Sequence, residues 1–417
     1  MNKCKKPRGT LDYDFLNLRL LNLVQKKLLN FALLHNYHQV ITPSFENKNL
    51  FVDAIGQENE IVYKQMFSIG NDIKQKYVLK PENTASIVRY IIENKLLNNF
   101  TNLKIAYFDK FFRYERPQKN RYREFYQFGV EVFAKKSYLL DARIILFAFD
   151  SLNILKINQK LVLLINYLGN EETRKLYLKD LKSTLLTIKN NLCLFCQKRI
   201  NTNLLRILDC KIDQKFFSNI PLIKNYWSIT EKEYFHKLIA ILKKFTINFI
   251  IDYKLVRGLD YYNGVVFEIC VVNNLESALL GGGRYDNLVS KFSNNKNNCD
   301  AFGFAIGINR ILELTNLQLP PLPQCKISFI ALDEISYWFS YQKLQLLRKK
   351  KIKGALYFCQ DLKLKKYFKI AQKNNSIFIC VISKKDIENK QVTLKNYKTK
   401  KIVKLNNIVN FLCENDG

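Results

Sequence analysis

Two different periods of hydrophobic and polar residues are visible in the first part of the chain. Apolar residues recur every three or four positions from about 14 to 34, which predicts an amphipathic helix there. From Leu103 to Phe133 the period becomes that of two strands around a charged interruption at 115–124. The pattern therefore predicts a long helix followed, later in the chain, by a pair of strands.

The second strand of this pair is polar on one face only. Its apolar side chains share one face, whereas Gln127, Gly129 and Glu131 share the other. Gly129 removes a side chain where a ligand would need to lie close. The strand is therefore a candidate ligand-binding element, although the same pattern taken alone also fits an ordinary hairpin with a wet polar face.

Strand patterns return in the second half of the chain, at 249–252 and 265–272. A glycine loop at 281–283 follows them, and a later strand of small residues turns at Gly307 into a helix that carries Arg310 in its first turn. These segments predict further strands whose ends present glycines and an arginine.

A proline-rich linker at 319–323 predicts a division into domains. Beyond it, strands and helices alternate, which predicts a small α/β domain with a mostly parallel sheet. The region 168–232 has mixed helical patterns and no chemical motif, as expected of an insertion. We therefore expect a first domain at 1–324, with that insertion, and a second domain at 325–417.

The charge of the chain is unusually positive. Its 417 residues include 67 Lys and Arg against 36 Asp and Glu, a net charge of +31. A polyanion such as nucleic acid would exploit this excess through counterion release and long-range steering. The excess is mostly lysine, however, in a chain also rich in Asn, Ile and Tyr, and drift in an A+T-rich genome produces the same composition. Charge makes a nucleic-acid partner plausible without establishing it.

Composition excludes several classes of protein. Hydrophobic residues make up 48% and charged residues 25%, which is ordinary for a globular protein and excludes a disordered or fibrous one. No stretch approaches the roughly 18 apolar residues of a membrane span, and no apolar signal-peptide core follows the basic N-terminus. We expect a soluble, cytoplasmic protein with no membrane partner.

The 10 cysteines are expected to be reduced thiols. Cys193 and Cys196 form a lone Cys-x-x-Cys pair, and Cys210 follows further along the chain. A zinc site normally takes its ligands from two such pairs, and neither a second pair nor a His-x-x-x-His follows. We therefore predict no metal site.

Arginines from three separate segments indicate phosphate chemistry. Arg113 ends the first strand of the hairpin, Arg257 lies in a glycine-containing loop, and Arg310 begins a helix. Such a set suits polyphosphate chemistry, in which positioning and charge neutralisation dominate. The GxxxxGK[ST] and GxGxxG patterns are absent, so a nucleotide would be held by arginines.

Motifs are spread over nearly the whole chain, at Lys6–Thr10, around Pro43, and at Lys80–Thr84, Phe112–Lys119, Gln127–Phe133, Leu255–Tyr262, Gly282–Asp286 and Gly303–Arg310. Their order and spacing resemble those of histidyl-tRNA synthetases, which are class II aminoacyl-tRNA synthetases. The Arg-Gly-Leu-Asp-Tyr-Tyr and Gly-Gly-Arg-Tyr-Asp motifs are specific to histidine enzymes and their close paralogues. The resemblance implies an α+β catalytic domain with a mainly antiparallel sheet, a helical insertion and a C-terminal α/β anticodon-binding domain.

The resemblance also implies a reaction and its partners. ATP activates L-histidine to histidyl-adenylate with release of pyrophosphate, and the histidine is then transferred to the 3′ end of tRNA(His). ATP with Mg²⁺ acts as a substrate complex, and no prosthetic group is implied. The family is homodimeric, and the region of Pro43 would help to form the dimer.

Histidine recognition follows from the same resemblance. Glu82, Thr84 and Gln127 would hold the α-amino group. Glu131 and Tyr262 would bind the imidazole, because a carboxylate opposite a phenol reads both ring nitrogens. The full histidine-binding set is Glu82, Asn83, Thr84, Arg113, Gln127, Glu131, Arg257, Tyr261 and Tyr262.

The resemblance names three catalytic arginines. Arg113 would bridge the substrate carboxylate and the α-phosphate, Arg257 would neutralise the α-phosphate, and Arg310 would hold the far phosphates with Mg²⁺. The implied ATP-binding residues are Arg113, Glu115, Arg121 and Arg310, and Arg116 and Gln118 are candidates to meet the acceptor end of the tRNA.

The chain departs from the family pattern at four positions. Asn83 and Asn120 replace glycines, Gly264 replaces a basic residue, and Asn309 stands where Glu is common. Because Asn tolerates left-handed backbone angles, the two glycine replacements are predicted to be neutral. Asn309 is predicted to weaken the positioning of metal or ATP, so we expect a slow but genuine enzyme.

Two alternatives come from other classes of protein. The regulatory subunit of ATP phosphoribosyltransferase shares the catalytic fold and senses histidine without activating it. Such proteins tend to lose the histidine-loop arginine and the anticodon domain, both of which this chain keeps. A non-enzymatic RNA-binding protein would bind tRNA with strong salt dependence and release no pyrophosphate.

Overall fold

The molecule, a computed structural model, is described at residues 4–70, 76–116, 121–293, 299–360, 363–396, 400–404 and 408–414. It forms two compact units, Met1–Gln318 and Leu319–Gly417. The helices are α1 (Phe15–Leu34), α2 (Lys48–Ile55), α3 (Thr84–Glu93), α4 (Tyr138–Asn153), α5 (Glu171–Thr187), α6 (Leu194–Thr202), α7 (Ile229–Lys244), α8 (Asn287–Phe292), α9 (Ile308–Leu314), α10 (Glu334–Lys349), α11 (Leu364–Lys373), α12 (Lys384–Glu388) and α13 (Ile408–Glu414). The strands are β1 (His38–Gln39), β2 (Phe45–Asn47), β3 (Ser68–Ile69), β4 (Tyr77–Leu79), β5 (Leu103–Phe112), β6 (Glu124–Phe133), β7 (Leu161–Tyr167), β8 (Phe249–Ile251), β9 (Asn263–Val271), β10 (Asn274–Arg284), β11 (Ala301–Gly307), β12 (Ile327–Ala331), β13 (Gly354–Phe358), β14 (Phe378–Ile382), β15 (Gln391–Lys395) and β16 (Lys400–Lys404).

The first helix forms where the hydrophobic period predicts it. The Asp14 carboxylate caps α1 by accepting the backbone N–H groups of Leu16 and Asn17, at 3.1 and 2.8 Å. Its buried side chains are Leu21, Val24, Leu28 and Ala32, spaced to share one face. That face packs on β5, at the sheet that carries the site described below.

The first unit is built on an eight-stranded sheet in the order β1-β5-β6-β11-β10-β9-β7-β8. Neighbours are antiparallel throughout its centre, and only the outer pairs β1–β5 and β7–β8 are parallel. The expectation of a mainly antiparallel sheet is confirmed. The glycine segment 281–283 does not form the expected loop, because it lies inside β10 and pairs with β9 on one side and β11 on the other.

A buried ion pair fastens the sheet to the helix that follows β6. Arg284, at the end of β10, is fully buried and donates to the Asp141 carboxylate of α4 at 2.5 and 2.9 Å. Asp286 and Tyr234 complete the cluster, at 2.7 Å from Arg284 and 2.9 Å from Asp141 respectively. A charge placed at this depth needs such partners, so this arginine serves the core and not a ligand.

The segment between β7 and β8 matches the predicted insertion in character. It contains α5, α6, short 3₁₀ turns and α7. Glu231, in the first turn of α7, accepts a hydrogen bond from the Thr173 hydroxyl at 2.6 Å and one from the Asn170 backbone at 2.7 Å. The two ends of the insertion are thereby joined.

The second unit has a five-stranded sheet in the order β13-β12-β14-β15-β16. Only β13, β12 and β14 are parallel, whereas β15 and β16 join in antiparallel pairs, so the expectation of a mostly parallel sheet holds for just one side. Alternate residues of β12 enter different apolar clusters, Phe329 with α10 and Ile330 with α11. Helices therefore cover both faces, as in an α/β domain.

Among the described residues, those other than glycine that have left-handed backbone angles follow the ends of helices. They are Asn36, Lys95, Lys156, Thr246, Lys351, Asn375 and Lys390, with φ between 51° and 61°. Glycine is the usual residue at such positions, because any side chain crowds the backbone there.

The structure contains no candidate membrane helix in the part of the chain that it describes. None of these helices combines the necessary length with the necessary apolar character.

Candidate active site

A small cavity opens among the central strands of the eight-stranded sheet and has a volume of about 130 Å³. Strands β5, β6, β10 and β11, the start of α3 and the loop before β9 surround it. All nine residues expected to bind histidine line this cavity, namely Glu82, Asn83, Thr84, Arg113, Gln127, Glu131, Arg257, Tyr261 and Tyr262. The structure therefore brings together residues that are up to 180 positions apart in the chain.

Glu131 is a buried acid in the wall of the cavity. Its carboxylate accepts hydrogen bonds from the Thr84 hydroxyl at 2.8 Å and the Tyr285 hydroxyl at 2.5 Å. Burial raises the pKa of Glu131 to about 8, against the opposing effect of these hydrogen bonds. At neutral pH the group therefore holds a proton that it can share with a basic ligand.

Space for the Glu131 carboxylate is provided by a glycine in the neighbouring strand. Gly303 of β11 is directly opposite Glu131 of β6. A Cβ atom at Gly303 would lie 1.8 Å from Oε2 of Glu131. Gly303 is therefore required by the acid that it faces.

Glu82 caps the helix that borders the cavity. Its carboxylate accepts the backbone N–H groups of Thr84 and Ala85, at 2.7 and 3.0 Å, and the Tyr261 hydroxyl at 3.3 Å. Burial raises the pKa of Glu82. Glu82 therefore both caps α3 and lines the cavity. The interpretation of this segment as a capped helix start and its interpretation as part of a binding site do not exclude each other.

Asn83 is held in place by a buried polar network. The Thr42 hydroxyl donates to its Oδ1 at 2.8 Å, and the fully buried Lys80 ammonium donates to Thr42 at 3.1 Å and to Asp109 at 2.6 Å. The Nδ2 atom of Asn83 is buried without a partner among the described residues. With φ −113° and ψ −18°, Asn83 has ordinary backbone angles, so tolerance of left-handed angles is not the reason it can replace glycine.

Two of the three arginines expected to be catalytic line the same cavity. Nε of Arg113 donates to the Pro81 carbonyl at 2.9 Å, and its guanidinium lies over the Phe125 ring. Arg257 forms an ion pair with Glu268. Its Nε atom is buried without a partner among the described residues, so it retains a free donor for an anion.

Glycine also makes room for Arg257. A Cβ atom at Gly281 of β10 would lie 2.2 Å from its guanidinium. The first glycine of the segment therefore makes room for an arginine and also lines the cavity. Gly129 is similar, since the Tyr107 ring of β5 fills the space that was expected to admit a ligand.

Arg310, the third arginine expected to be catalytic, belongs to a charged group with Arg121 and Glu115. Burial lowers its pKa, and the positive charge of Arg121 adds to that effect. Arg121 in turn lies 3.7 Å from the Glu115 carboxylate. The structure thus places Glu115, Arg121 and Arg310 close together, whereas Arg116 is exposed and Gln118 lies outside the described residues.

The departures Gly264 and Asn309 have local explanations. Gly264 has φ +57°, a left-handed angle that suits glycine. Asn309 accepts the Tyr126 backbone N–H at 3.0 Å and donates to the Tyr13 hydroxyl at 2.9 Å, so its side chain joins α9 to β6 and to the N-terminal segment. Asn120 lies outside the described residues.

Sequence reasoning missed two tyrosines of this site. Tyr285 donates to Glu131, and Tyr107 lines the cavity next to Gly129. Tyr285 was visible in the Gly-Gly-Arg-Tyr-Asp motif, but nothing in the sequence places it against Glu131. Tyr107 faces Gly129 across the β5–β6 pair, and this large-against-small pairing was the available signal.

Taken together, a buried acid, phenols and two arginines around one cavity suit a small amino acid presented to a phosphate. The antiparallel sheet that carries them, together with a separate α/β unit, is the architecture of a class II aminoacyl-tRNA synthetase. Comparison with known proteins identifies the particular family. The sequence profile described as "Histidyl-tRNA synthetase" matches residues 12–169 and 222–311, leaving out most of the insertion, and the chain belongs to this family.

Relatives with the same name cover nearly the whole chain. The histidine–tRNA ligase of Mycoplasma mycoides subsp. mycoides is 36% identical over 406 residues, which is 96% of this chain and 97% of that protein. That of Mesoplasma florum is 37% identical over 415 residues, covering 98% and 90% respectively. Family membership therefore extends to the second unit and does not rest on the catalytic motifs alone.

Solved structures agree on the fold. The crystal structure of apo S. aureus histidyl-tRNA synthetase matches with a TM-score of 0.78 at 26% identity and covers 98% of this chain and 99% of that chain. A Bacillus halodurans C structure, described as an ATP phosphoribosyltransferase regulatory subunit/histidyl-tRNA synthetase, matches with a TM-score of 0.64 at 20% identity, covering 91% and 99%. At that identity the second likeness concerns the fold alone.

Proposed function

We propose that this chain ligates histidine to tRNA(His) in two steps, by forming histidyl-adenylate from L-histidine and ATP and then transferring histidine to the 3′ end of the tRNA. The observation that carries this proposal is the convergence of Glu131, Arg113 and Arg257 on one cavity. An acid suited to imidazole and two arginines suited to an α-phosphate are thereby within reach of one bound amino acid.

Recognition of the histidine side chain is assigned to Glu131 and the tyrosines of the cavity. The protonated carboxyl of Glu131 and the phenol of Tyr262 hydrogen-bond the two imidazole nitrogens, and Tyr261 closes the wall. An amino acid of similar shape without ring nitrogens leaves these buried polar groups unpaired, which costs binding free energy. Glu82, Thr84 and Gln127 receive the α-ammonium group, since each presents an oxygen at the cavity.

Activation of histidine by ATP is assigned to the arginines of the cavity and to the charged group beside it. Arg113 orients the histidine carboxylate toward the α-phosphate, and Arg257 neutralises the charge that develops there as pyrophosphate leaves. ATP enters as its Mg²⁺ complex, with its outer phosphates beside Arg310, Arg121 and Glu115. The lowered pKa of Arg310 fits this role, because cations crowded together are stabilised by a bound polyanion.

Transfer to tRNA involves parts of the chain beyond the cavity. Arg116, which follows β5, and Gln118 are assigned to the acceptor end. The domain beyond the linker, at 325–417, is assigned to the anticodon, and the domain at 1–324 to catalysis. We propose further that the enzyme is a homodimer and that it works in the cytoplasm, where histidine, ATP and tRNA meet during protein synthesis.

The test is exchange of labelled pyrophosphate into ATP, which reports activation without tRNA. Wild type is expected to show exchange that requires histidine and ignores other amino acids. Arg257→Ala is expected to lose about 10²-fold or more, because it removes one preorganised cation from the developing charge. Arg143→Ala, which removes an exposed arginine of α4, is the matched control and should match wild type.

Each contrary result identifies one of the alternatives. A wild-type protein that binds histidine but exchanges no pyrophosphate would be a histidine-sensing paralogue. A protein that binds tRNA but not histidine would be an RNA-binding protein built on this fold. Circular dichroism melting of Arg257→Ala separates lost chemistry from lost folding.

A further inference from the structure

Four potential metal ligands converge in the insertion, away from the cavity. Cys193 immediately precedes α6, Cys196 lies in its first turn, and Cys210 and Asp213 come from the turns that follow. One ligand atom from each lies within 4.8 Å of all the others. Cys196 and Asp213 are buried, at 0% and 1% exposure, and Cys193 and Cys210 are half-buried.

The spacing of these atoms matches the edges of a zinc tetrahedron. Zinc–sulfur bonds of about 2.3 Å and zinc–oxygen bonds of about 2.0–2.2 Å imply edges of about 3.8 Å between sulfurs and about 3.5–3.7 Å between sulfur and oxygen. The Sγ atoms of Cys193 and Cys210 are 3.8 Å apart, and Sγ of Cys210 is 3.6 Å from Oδ2 of Asp213. Two of the six edges therefore match those of a zinc site, and the remaining ligand atoms lie within 4.8 Å of one another.

The ligand pattern in the sequence is a Cys-x-x-Cys pair followed by Cys-x-x-Asp. The second pair escaped sequence analysis because its last member is a carboxylate and not a thiol or imidazole. Three thiolates and one carboxylate favour a borderline-soft ion with tetrahedral geometry, which is the preference of Zn²⁺. We propose that Cys193, Cys196, Cys210 and Asp213 bind a structural zinc ion.

Backbone hydrogen bonds orient the Asp213 carboxylate. The backbone N–H of Cys193 donates to both oxygens of Asp213, each at 3.1 Å. Such outer contacts orient first-shell ligands in known metal sites. A Cys193–Cys210 disulfide is the competing explanation, but the sulfurs lie well beyond the roughly 2.05 Å of that bond, and it would leave Cys196 and Asp213 without a shared role.

The proposed ion would also steady the active-site loop. Helix α6 begins at this cluster, and just beyond its other end Nδ2 of Asn203 donates to the Asp260 carboxylate at 2.7 Å. Asp260 belongs to the Arg-Gly-Leu-Asp-Tyr-Tyr segment, and it also accepts Nδ2 of Asn59 at 3.1 Å. This positioning role rests on the proposed function of that loop, whereas the zinc assignment does not.

The test measures metal directly on the full-length protein. Protein purified under reducing conditions is analysed for zinc by mass spectrometry, then stripped with chelator and titrated with Co²⁺ while thiolate-to-cobalt absorption is followed. We expect about one zinc ion per chain and a tetrahedral cobalt spectrum, with protons released on binding because the thiols must ionise.

Variants assign the ligands. Cys196→Ser is expected to abolish the thiolate-to-cobalt signal or weaken binding at least about 10-fold, and Asp213→Ala to weaken binding by a similar factor. Asp213→Cys provides four thiol ligands and should still bind zinc. Cys299→Ser, which removes a half-buried cysteine outside the cluster, is the matched control and should bind as wild type does.

Three results would overturn the proposal. The first is wild-type protein that contains no zinc and gives no thiolate-to-cobalt absorption. The second is a cobalt signal that Cys196→Ser leaves unchanged. The third is a Cys193–Cys210 disulfide that peptide mapping finds even in protein purified under reducing conditions. Because none of these readouts involves histidine, ATP or tRNA, failure here leaves the proposed function untouched. Loss of pyrophosphate exchange after zinc removal, reversed by adding zinc, would test the loop-positioning role separately.

Discussion

At the scale of single residues, the site depends on groups whose usual ionisation has been changed by burial. Glu131 is the clearest case, because burial raises its pKa to about 8 while two hydroxyl groups still donate to it. A carboxyl group that keeps its proton at neutral pH can donate to one imidazole nitrogen, which an ionised carboxylate cannot do. In its proposed role, this residue therefore links binding of histidine to pH.

The first expected outcome concerns that link. The Glu131–imidazole pair needs one shared proton, which is available between the imidazole pKa of about 6.5 and the Glu131 pKa of about 8. The kcat/KM for histidine in pyrophosphate exchange should fall on both sides of this range, since it reports the free enzyme and free substrate. In Glu131→Gln the alkaline limb should move to higher pH, where the substrate's own amino group titrates.

The comparison of the two profiles decides the role of this acid. If Glu131→Gln keeps wild-type kcat/KM and an unchanged alkaline limb, Glu131 does not bind the imidazole. A melting temperature for each protein across the same pH range shows whether either limb reflects unfolding instead.

At the scale of secondary-structure elements, glycines in β10 and β11 make space for the charged side chains of the site. Gly303 faces Glu131, and Gly281 faces Arg257. Both belong to strands whose register fixes which side chain they meet, so the strand pairing and the chemistry depend on each other.

The matched pair Gly303→Ala and Gly307→Ala tests this dependence within one strand. A methyl group at Gly303 meets the Glu131 carboxylate at 1.8 Å and the Val130 carbonyl at 2.6 Å, whereas at Gly307 the nearest atom is 3.8 Å away. Gly303→Ala is expected to lower kcat/KM for histidine at least about 10²-fold and to destabilise the fold by about 1–3 kcal/mol through overpacking. Gly307→Ala should stay within about 0.5 kcal/mol and keep its activity.

Exchange kinetics and urea unfolding measure the two effects. Equal behaviour of the two alanine variants would mean that the carboxylate has room to move and that Gly303 is not required by it. A variant that is stable but does not bind histidine would localise the effect to the cavity.

Some of these elements were predictable from the sequence alone, and others were not. The helix over 14–34, the hairpin and the strand that turns at Gly307 were predictable, because their local periodicity agrees with the fold. The glycine triplet was wrongly expected to form a loop, since local composition favours a turn and only pairing with strands on both sides makes it a strand. Asp213 was missed for a related reason, because a carboxylate completes its cluster only through three-dimensional contact with three cysteines.

At the scale of the whole molecule, the excess of lysine is unevenly placed. Helix α11 of the second unit contains four lysines and no acidic residue, and Lys365 and Lys369 are exposed. A phosphate backbone lying along such a helix would release counterions, so binding should weaken with salt. Drift in composition alone predicts no preference of tRNA for this unit.

Charge reversal in each unit distinguishes function from drift. The double variant Lys365→Glu/Lys369→Glu is expected to lower kcat/KM for tRNA in aminoacylation about 10-fold or more and to leave pyrophosphate exchange unchanged. Lys243→Glu/Lys244→Glu, at the exposed end of α7, changes the net charge equally and serves as the control. Equal losses of tRNA charging in both double variants would indicate a general effect of net charge and contradict the assignment of the second unit to tRNA.

The left-handed residues that follow the helices also carry an energetic cost. Four of these seven positions hold lysine, although the backbone geometry there favours glycine. A left-handed lysine costs about 0.5–1 kcal/mol more than glycine, after allowing for the greater flexibility of glycine in the unfolded chain. The four lysines together therefore cost about 2–4 kcal/mol, divided among separate helix ends. At the glycines facing Glu131 and Arg257 a side chain has no space at all, so no such division is open to them.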